Sequence, residues 1–245
     1  MFLLRKADQT MQDFTHVSNF PDYMKKVARF ITNQGKRGNK VLDLPAGNGL
    51  FADRLKTQGF DVTCGDINSE RSEYVHTNME ALLPFEDCTF DFVTCMEGVE
   101  HVINPSQLIS ELARITKHDG HVVITMPNVQ NIYSRLKFLF TGVFYQFEPE
   151  FLRHPNGRLI DRGHISSLTY TQLNYIFVEA GLTPVLIDGD KFKKKILMPL
   201  YLVLGFINLF IYQLKKRTNP ELMPYHLMMS SKFLLSRSLI AVWKK

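Results

Sequence analysis

The stretch Val41-Leu42-Asp43-Leu44-Pro45-Ala46-Gly47-Asn48-Gly49 constrains this chain more than any other. Three apolar residues, Val41, Leu42 and Leu44, bracket an acid. A loop of small residues then runs into Leu50-Phe51-Ala52-Asp53-Arg54-Leu55, which has helical spacing. The pattern predicts a buried parallel strand, a tight turn and a helix N-terminus, the arrangement with which α/β folds hold adenosine-containing cofactors. Gly47 and Gly49 remove the Cβ atoms that would keep a ligand away from the backbone. The next apolar run, residues 60–65, ends in Asp66, an acid placed to bind ribose hydroxyls.

Two cofactor classes compete for this signature. Gly47 to Ala52 satisfies the dinucleotide pattern G-x-G-x-x-G/A, with Asp66 near the spacing of about 20 residues that a nicotinamide enzyme uses. Asp43 discriminates between them. An acid at the strand end repels a pyrophosphate but favours a cationic sulfonium and amino group. The stretch resembles motif I of class I S-adenosylmethionine (SAM) methyltransferases, L-D-x-G-x-G-x-G, and departs from it at Pro45 and Ala46.

The resemblance continues over roughly residues 38–190. Asn78-Met79-Glu80-Ala81-Leu82-Leu83-Pro84-Phe85 resembles the family's adenine-edge segment, with Asn78 where an Asp is common. Residues 90–95 resemble its fourth strand and are followed by Glu97-Gly98-Val99-Glu100-His101. A helix from Pro105 to Lys117, a turn at Asp119-Gly120 and a fifth strand from His121 to Thr125 are then expected. The resemblance implies a Rossmann-like α/β fold, a seven-stranded mostly parallel sheet with helices on both faces, and SAM as cofactor. Carried over position by position, the cofactor residues are Asp43, Pro45, Ala46, Gly47, Asn48, Gly49, Asp66, Ile67, Asn78, Met79 and Glu97. The departures at Pro45, Ala46 and Asn78 leave a second class of reading: a catalytically silent SAM-fold protein that binds a partner.

Cys64, Cys88 and Cys95 contain no C-x-x-C pair and are odd in number, which argues against a disulfide framework or zinc site. Cys64 and Cys95 fall in expected strands and read as small core residues. The start of the chain, Met1 to Lys6, has no apolar stretch long enough for a signal peptide, so a cytoplasmic protein is expected. The net charge of +5 hides an asymmetry: residues 191–245 hold 11 Lys and Arg against one acid, Glu221. This basic tail flanks an apolar run rather than a nucleic-acid motif, and no nucleic-acid partner is expected. Lys193-Lys194-Lys195 precede Ile196 to Leu214, and Lys215-Lys216-Arg217 follow it. Three readings stay open for the run: a membrane span, an interfacial segment at the inner face of the cytoplasmic membrane through 190–217, and a buried lid helix.

The expected organisation is a helical cover over 1–37, a core over 38–189, a basic and hydrophobic insertion over 190–232, and a final strand over 233–245. Phe14 to Ile31 supplies the cover helix. Strands are expected at 74–78, at Thr183 to Ile187 and within Leu234 to Trp243. Between the second and third strands only a single turn or short helix fits. Asn104 before Pro105 reads as a helix cap, and Thr169-Tyr170-Thr171-Gln172 as a capping box. The stretch 129–168 is a long connection beyond the carboxyl edge of the sheet, where acceptor substrates bind. Its aromatic density suits an apolar acceptor, either a small molecule or a lipid-linked one. Asp161 to Thr169 resembles a segment of bacterial methyltransferases of surface glycans and lipid-linked substrates.

Methyl transfer is an in-line displacement, so the protein mainly aligns the acceptor, and a hydroxyl acceptor gains from a base. His101, His164 and Tyr133 are the candidate catalytic residues at the mouth. Cys95 to His101 resembles quinone-biosynthesis O-methyltransferases, in which such acids can hold a divalent ion beside a catechol. Glu97, Glu100 and His101 would share one face of a helix. The same E-x-x-E-H pattern recurs in metal-free relatives, and no metal ligand is assigned.

Overall fold

Residues 19–68, 71–148, 152–153, 159–161, 163–192, 195–216 and 230–245 are described by a computed structural model of the chain. Apolar residues alternate between the two faces of each central strand, and each face collects its own helices. In β1 (Lys40–Asp43), Val41 points to one core and Leu42 to the other. The same division separates Phe92 from Val93 in β4 (Phe90–Met96), and Val123 from Val122 and Ile124 in β5 (Thr116–Pro127). One face is covered by α1 (Asp22–Gln34) and α2 (Leu50–Thr57) through Val27, Ile31, Phe51 and Leu55. The other is covered by α3 (Pro105–Ile115) and α5 (Tyr170–Glu179) through Leu108, Leu112, Leu173 and Phe177. Cys95 is buried in this second core and Cys64 in a small cluster with Ala46 and Ala52, both as core residues, as expected.

The sheet is completed by β2 (Asp61–Asp66), β3 (Val75–His76), β8 (Thr183–Gly189) and β9 (Ser238–Lys244), in the order β3-β2-β1-β4-β5-β9-β8. β1 to β5 run parallel, and β9 runs antiparallel to β5 and β8. This is the expected seven-stranded, mostly parallel sheet. The chain reverses its direction of travel between β1 and β4, so a crevice opens above their carboxyl ends, where open α/β sheets bind ligands. A small second sheet, β6 (Leu152–Arg153) with β7 (Leu159–Asp161), lies within the long connection after β5.

Several boundaries differ from the sequence expectation. The helix expected to reach Lys117 ends at Ile115, and β5 starts at Thr116, before the anticipated turn. The Lys245 ammonium donates to the Ala113 and Thr116 carbonyls, satisfying groups that end the helix, an interaction spanning more than a hundred residues. Asp119 lies at φ 63° and bends the strand without ending it. The third strand is two residues long, and the expected single turn before it is closed by the Tyr74 amide donating to the Arg71 carbonyl. The last strand begins at Ser238, because Leu234 and Leu235 belong to α7 (Ser231–Leu235). The cover helix starts at Asp22; its expected first residues, 14–18, lie outside the described residues. The two expected caps are in place, Asn104 accepting from the Gln107 amide and Thr169 forming a reciprocal box with Gln172.

The insertion leaves and rejoins the sheet at one point: the Asp190 carboxylate accepts from the amides of Arg237 and Ser238. Within it lies α6 (Met198–Lys216), which packs Met198, Leu200, Tyr201 and Leu204 against the core, with Leu197 just before it. No helix among the described residues is long and apolar enough to cross a membrane. Lys193, Lys194, Arg217 and the side chains of Lys195, Lys215, Lys216 and Tyr212 lie outside the described residues.

Candidate functional site

Asp43 ends β1 at the switch point and is 1% exposed. Its Oδ1 accepts from the Thr94 hydroxyl at 3.0 Å, while Oδ2 is buried without a hydrogen-bond partner. Burial pushes its carboxyl up to about 7, against the lowering effect of the Thr94 hydrogen bond. The loop after it turns through Gly47 at φ 55° and Gly49 at φ 80°, both left-handed. The Leu44–Pro45 peptide is cis, and Pro45 packs where a Cβ on Gly98 would lie, 2.6 Å from its Cδ, so the loops after β1 and β4 touch. The buried Ala46 donates its amide to the Gly65 carbonyl at 3.0 Å, and the Asn48 side chain accepts from Leu50 N at the start of α2.

Asp66 does work that the sequence pattern did not indicate. One of its oxygens accepts from the Gly47 amide at 2.8 Å and the other from the Asn68 amide at 3.0 Å, so it pins the glycine loop to the end of β2. Ile67 next to it is exposed at the sheet edge. Arg71 and Tyr74 hold the same loop from the far side and were missed, since neither belongs to a recognisable spacing. Arg71 pairs with both oxygens of Asp53 at 2.8 Å and donates to the Asn48 carbonyl at 2.7 Å. The Tyr74 hydroxyl donates to the Gly47 carbonyl at 3.1 Å. A Cβ on Gly49 would meet Arg71 Cζ at 2.6 Å and the Tyr74 oxygen at 2.7 Å. Gly49→Ala combines left-handed backbone with that collision and is expected to cost about 1–3 kcal/mol. A urea midpoint within error of the wild type would contradict this account of the loop.

Asn78 and Met79 follow β3. The exposed Asn78 turns its side chain to the Glu80 amide, and Met79 packs partly buried against the core.

After β4 the chain takes a left-handed step at Glu97, φ 50°, and then forms a single 3-10 turn at Val99–His101. The expected helical face shared by Glu97, Glu100 and His101 is therefore absent. Glu97 instead accepts from the Thr125 hydroxyl at 3.1 Å. Glu100 is fully buried, with neither carboxylate oxygen hydrogen-bonded. Burial, and then the charge of Glu97, hold the Glu100 carboxyl well above the usual range. Its backbone carbonyl accepts from the amides of Ile165 and Ser166, which straps residues 163–166 onto the turn. The strap brings His164 edge-on to His101, with ring centroids 4.8 Å apart. His101 Nδ1 lies 3.0 Å from the Gly163 carbonyl. A carbonyl only accepts, so Nδ1 carries a proton. Ligand atoms of Glu100, His101 and His164 fall within 4.8 Å of one another, a grouping that leaves Glu97 out.

Tyr133 stands on the other arm of the lid, in α4 (Ile132–Thr141), edge-on to Tyr145 at 5.1 Å. Both line a small pocket with Asn131, Leu197, Leu234 and Arg237. Arg237 was hidden in the basic tail. The structure sets its Nε 3.8 Å from Asp190, at the rim of the crevice.

Residues 15–187 match the methyltransferase-domain family, well over half of the chain. The chain belongs to the class I SAM-dependent methyltransferases. Among curated relatives, the ubiquinone biosynthesis O-methyltransferase of Aliivibrio fischeri is 35% identical over 116 residues, 42% of this chain and 49% of that one. The enzyme of the same name from Psychrobacter arcticus is 29% identical over 168 residues, 61% of each chain. The chain thus spans about half to three-fifths of the length of the curated relatives it matches. A solved SAM-dependent methyltransferase from Archaeoglobus fulgidus shares its fold at TM-score 0.57 and 19% identity, covering 91% of this chain and 94% of that one. S-adenosylmethionine is the cofactor of this family, and the crevice suits it. The buried Oδ2 of Asp43 lacks a donor, which an ammonium group supplies, and Gly47 and Gly49 carry no Cβ toward the crevice beside it.

Proposed function

We propose that this methyltransferase transfers a methyl group from SAM to a hydroxyl of an apolar small molecule, carried in or at a lipid phase. The reading rests above all on Asp43, a buried carboxylate with one unmet oxygen at the sheet's switch point. SAM, when bound, supplies an electrophilic methyl group on a sulfonium. Asp43 would hold its cationic end, the 45–49 loop its backbone-facing side, and Asp66 with Ile67, Asn78 and Met79 the nucleoside end. The names of the curated relatives support O-methylation, and the aromatic lid supports an apolar acceptor.

The chain's own acid–base work falls to His101. Its Nδ1 proton is held by the Gly163 carbonyl, which with the strap sets the ring's orientation for a general base that accepts the hydroxyl proton. His164 and Tyr133 would position the acceptor. A second reading is favoured by Glu100, His101 and His164 together: that donor set suits a divalent cation, which would make a bound hydroxyl more acidic.

Titration calorimetry with SAM, followed by incubation of a membrane extract with labelled SAM and solvent extraction, tests the proposal. Label in the organic phase supports it. Absence of SAM binding at millimolar concentration, or binding without any methylated product, overturns it. His101→Ala is expected to lower turnover 10²–10⁴-fold with SAM affinity unchanged. Chelator treatment separates the two readings, since only the cation-assisted reaction stops.

A further inference from the structure

The face of α6 opposite its core contacts is apolar and open. Leu202, Val203, Phe206, Ile207, Leu209 and Phe210 recur at helical spacing, with Phe206 76% and Phe210 64% exposed. No charged residue occurs between Met198 and Leu214. A surface helix of a protein that meets only water carries its polar residues on this side. Phe138, Leu139 and Phe140, at the end of α4, are exposed as well. Both helices pack against α7, so their apolar residues flank one short helix. Leu197, at the entry to α6, and Tyr133, in α4, also line the pocket beside the crevice.

We propose that the open face of α6, with the end of α4, is a docking surface for an anionic lipid bilayer. Charge selects this occupant. Four lysines at 191 and 193–195 lead into the helix, Lys215, Lys216 and Arg217 leave it, and the only acid between 191 and 245 is Glu221. Anionic headgroups neutralise such flanks while the apolar face enters the acyl boundary. A second copy of the chain on the same face would press one basic block against another. Because its other face is committed to the core, α6 must lie along the bilayer and not across it. Docked in this way, the pocket opens beside the lipid surface.

The full-length protein is floated with phosphatidylcholine vesicles, with and without about one-third phosphatidylglycerol. Binding at least tenfold tighter to the anionic vesicles is expected, partly released by high salt because only the charge contribution is screened. Phe206→Glu with Phe210→Glu should abolish most of the binding to both kinds of vesicle. Reversal of Lys193, Lys194 and Lys195 to Glu should weaken only the anionic preference, by about fivefold or more per lysine. Thermal unfolding and SAM affinity should stay at wild-type values in both variants, which separates a lost surface from a lost fold. Calorimetry with SAM on the same samples tests the methyl-transfer reading separately, since docking does not depend on it. Equal flotation with and without anionic lipid, or no flotation, overturns the proposal. So does a dimer in sedimentation that the phenylalanine variant dissolves, which would make the face a self-interface.

Discussion

Asp43→Asn is expected to weaken SAM binding about a hundredfold while leaving the cofactor-free protein as stable as the wild type, or more so. The carboxylate is buried, with one oxygen satisfied by Thr94 and the other by nothing within the chain. Losing a charge-assisted contact of this kind costs about 1.5–3 kcal/mol. The amide keeps the Thr94 partner and carries no charge to desolvate. pH makes the sign explicit. With its carboxyl raised to about 7, Asp43 is protonated in the free protein below neutrality. A cation recruits the ionised form, so SAM affinity should rise roughly tenfold per pH unit between about 5 and 7 and then level off. In Asp43→Asn that slope should disappear. Stability of the cofactor-free protein runs the opposite way. A carboxyl with a raised folded value adds stability below about 4, and this is lost as pH climbs through 7. Glu97 and Glu100, both raised by burial, push in the same direction. Calorimetry across this range, with a flat wild-type profile, would remove Asp43 from the cofactor site.

Trp243→Ala is expected to remove about 3–5 kcal/mol of stability, a large part of the margin of a domain this size. The indole is fully buried in β9, stacked on Phe177 with ring centroids 4.0 Å apart. Its N–H donates to the Asn174 side chain at 3.0 Å. Truncation opens a cavity between α5 and the sheet and removes the indole donor from a buried amide oxygen, which also accepts from the Tyr170 hydroxyl at 3.4 Å. Trp243→Phe refills most of the volume and loses only the hydrogen bond, so it should cost about 1–3 kcal/mol. Urea unfolding of the two variants checks both values. Equal losses would mean that the hydrogen bond, and not the stacking, ties the last strand to α5.

The parts of the site that depend on local chemistry could be read from the chain. Asp43 between apolar residues, Gly47 and Gly49 in left-handed turns, and the caps at Asn104 and Thr169 each need only their neighbours, because strand alternation, backbone freedom and capping act over a few residues. The convergence of His101 and His164 was anticipated at the mouth, but their edge-on contact depends on the Glu100 carbonyl holding the 163–166 strap, which no spacing announces. Arg71, Tyr74 and Arg237 carried no signal at all.

The order of apolar runs, acids and glycines by itself determined the doubly wound sheet, its cofactor edge and the family. Tertiary structure decided the rest, for a physical reason that recurs at each point. Asp66 turns to the Gly47 amide, and Glu97 leaves its anticipated helical face for Thr125. The helix before β5 stops where Lys245 reaches the carbonyls of its last turn. In every case a buried polar group found its partner far along the chain. Such pairings follow from which elements the folded sheet sets side by side, and a local pattern of residues does not encode them.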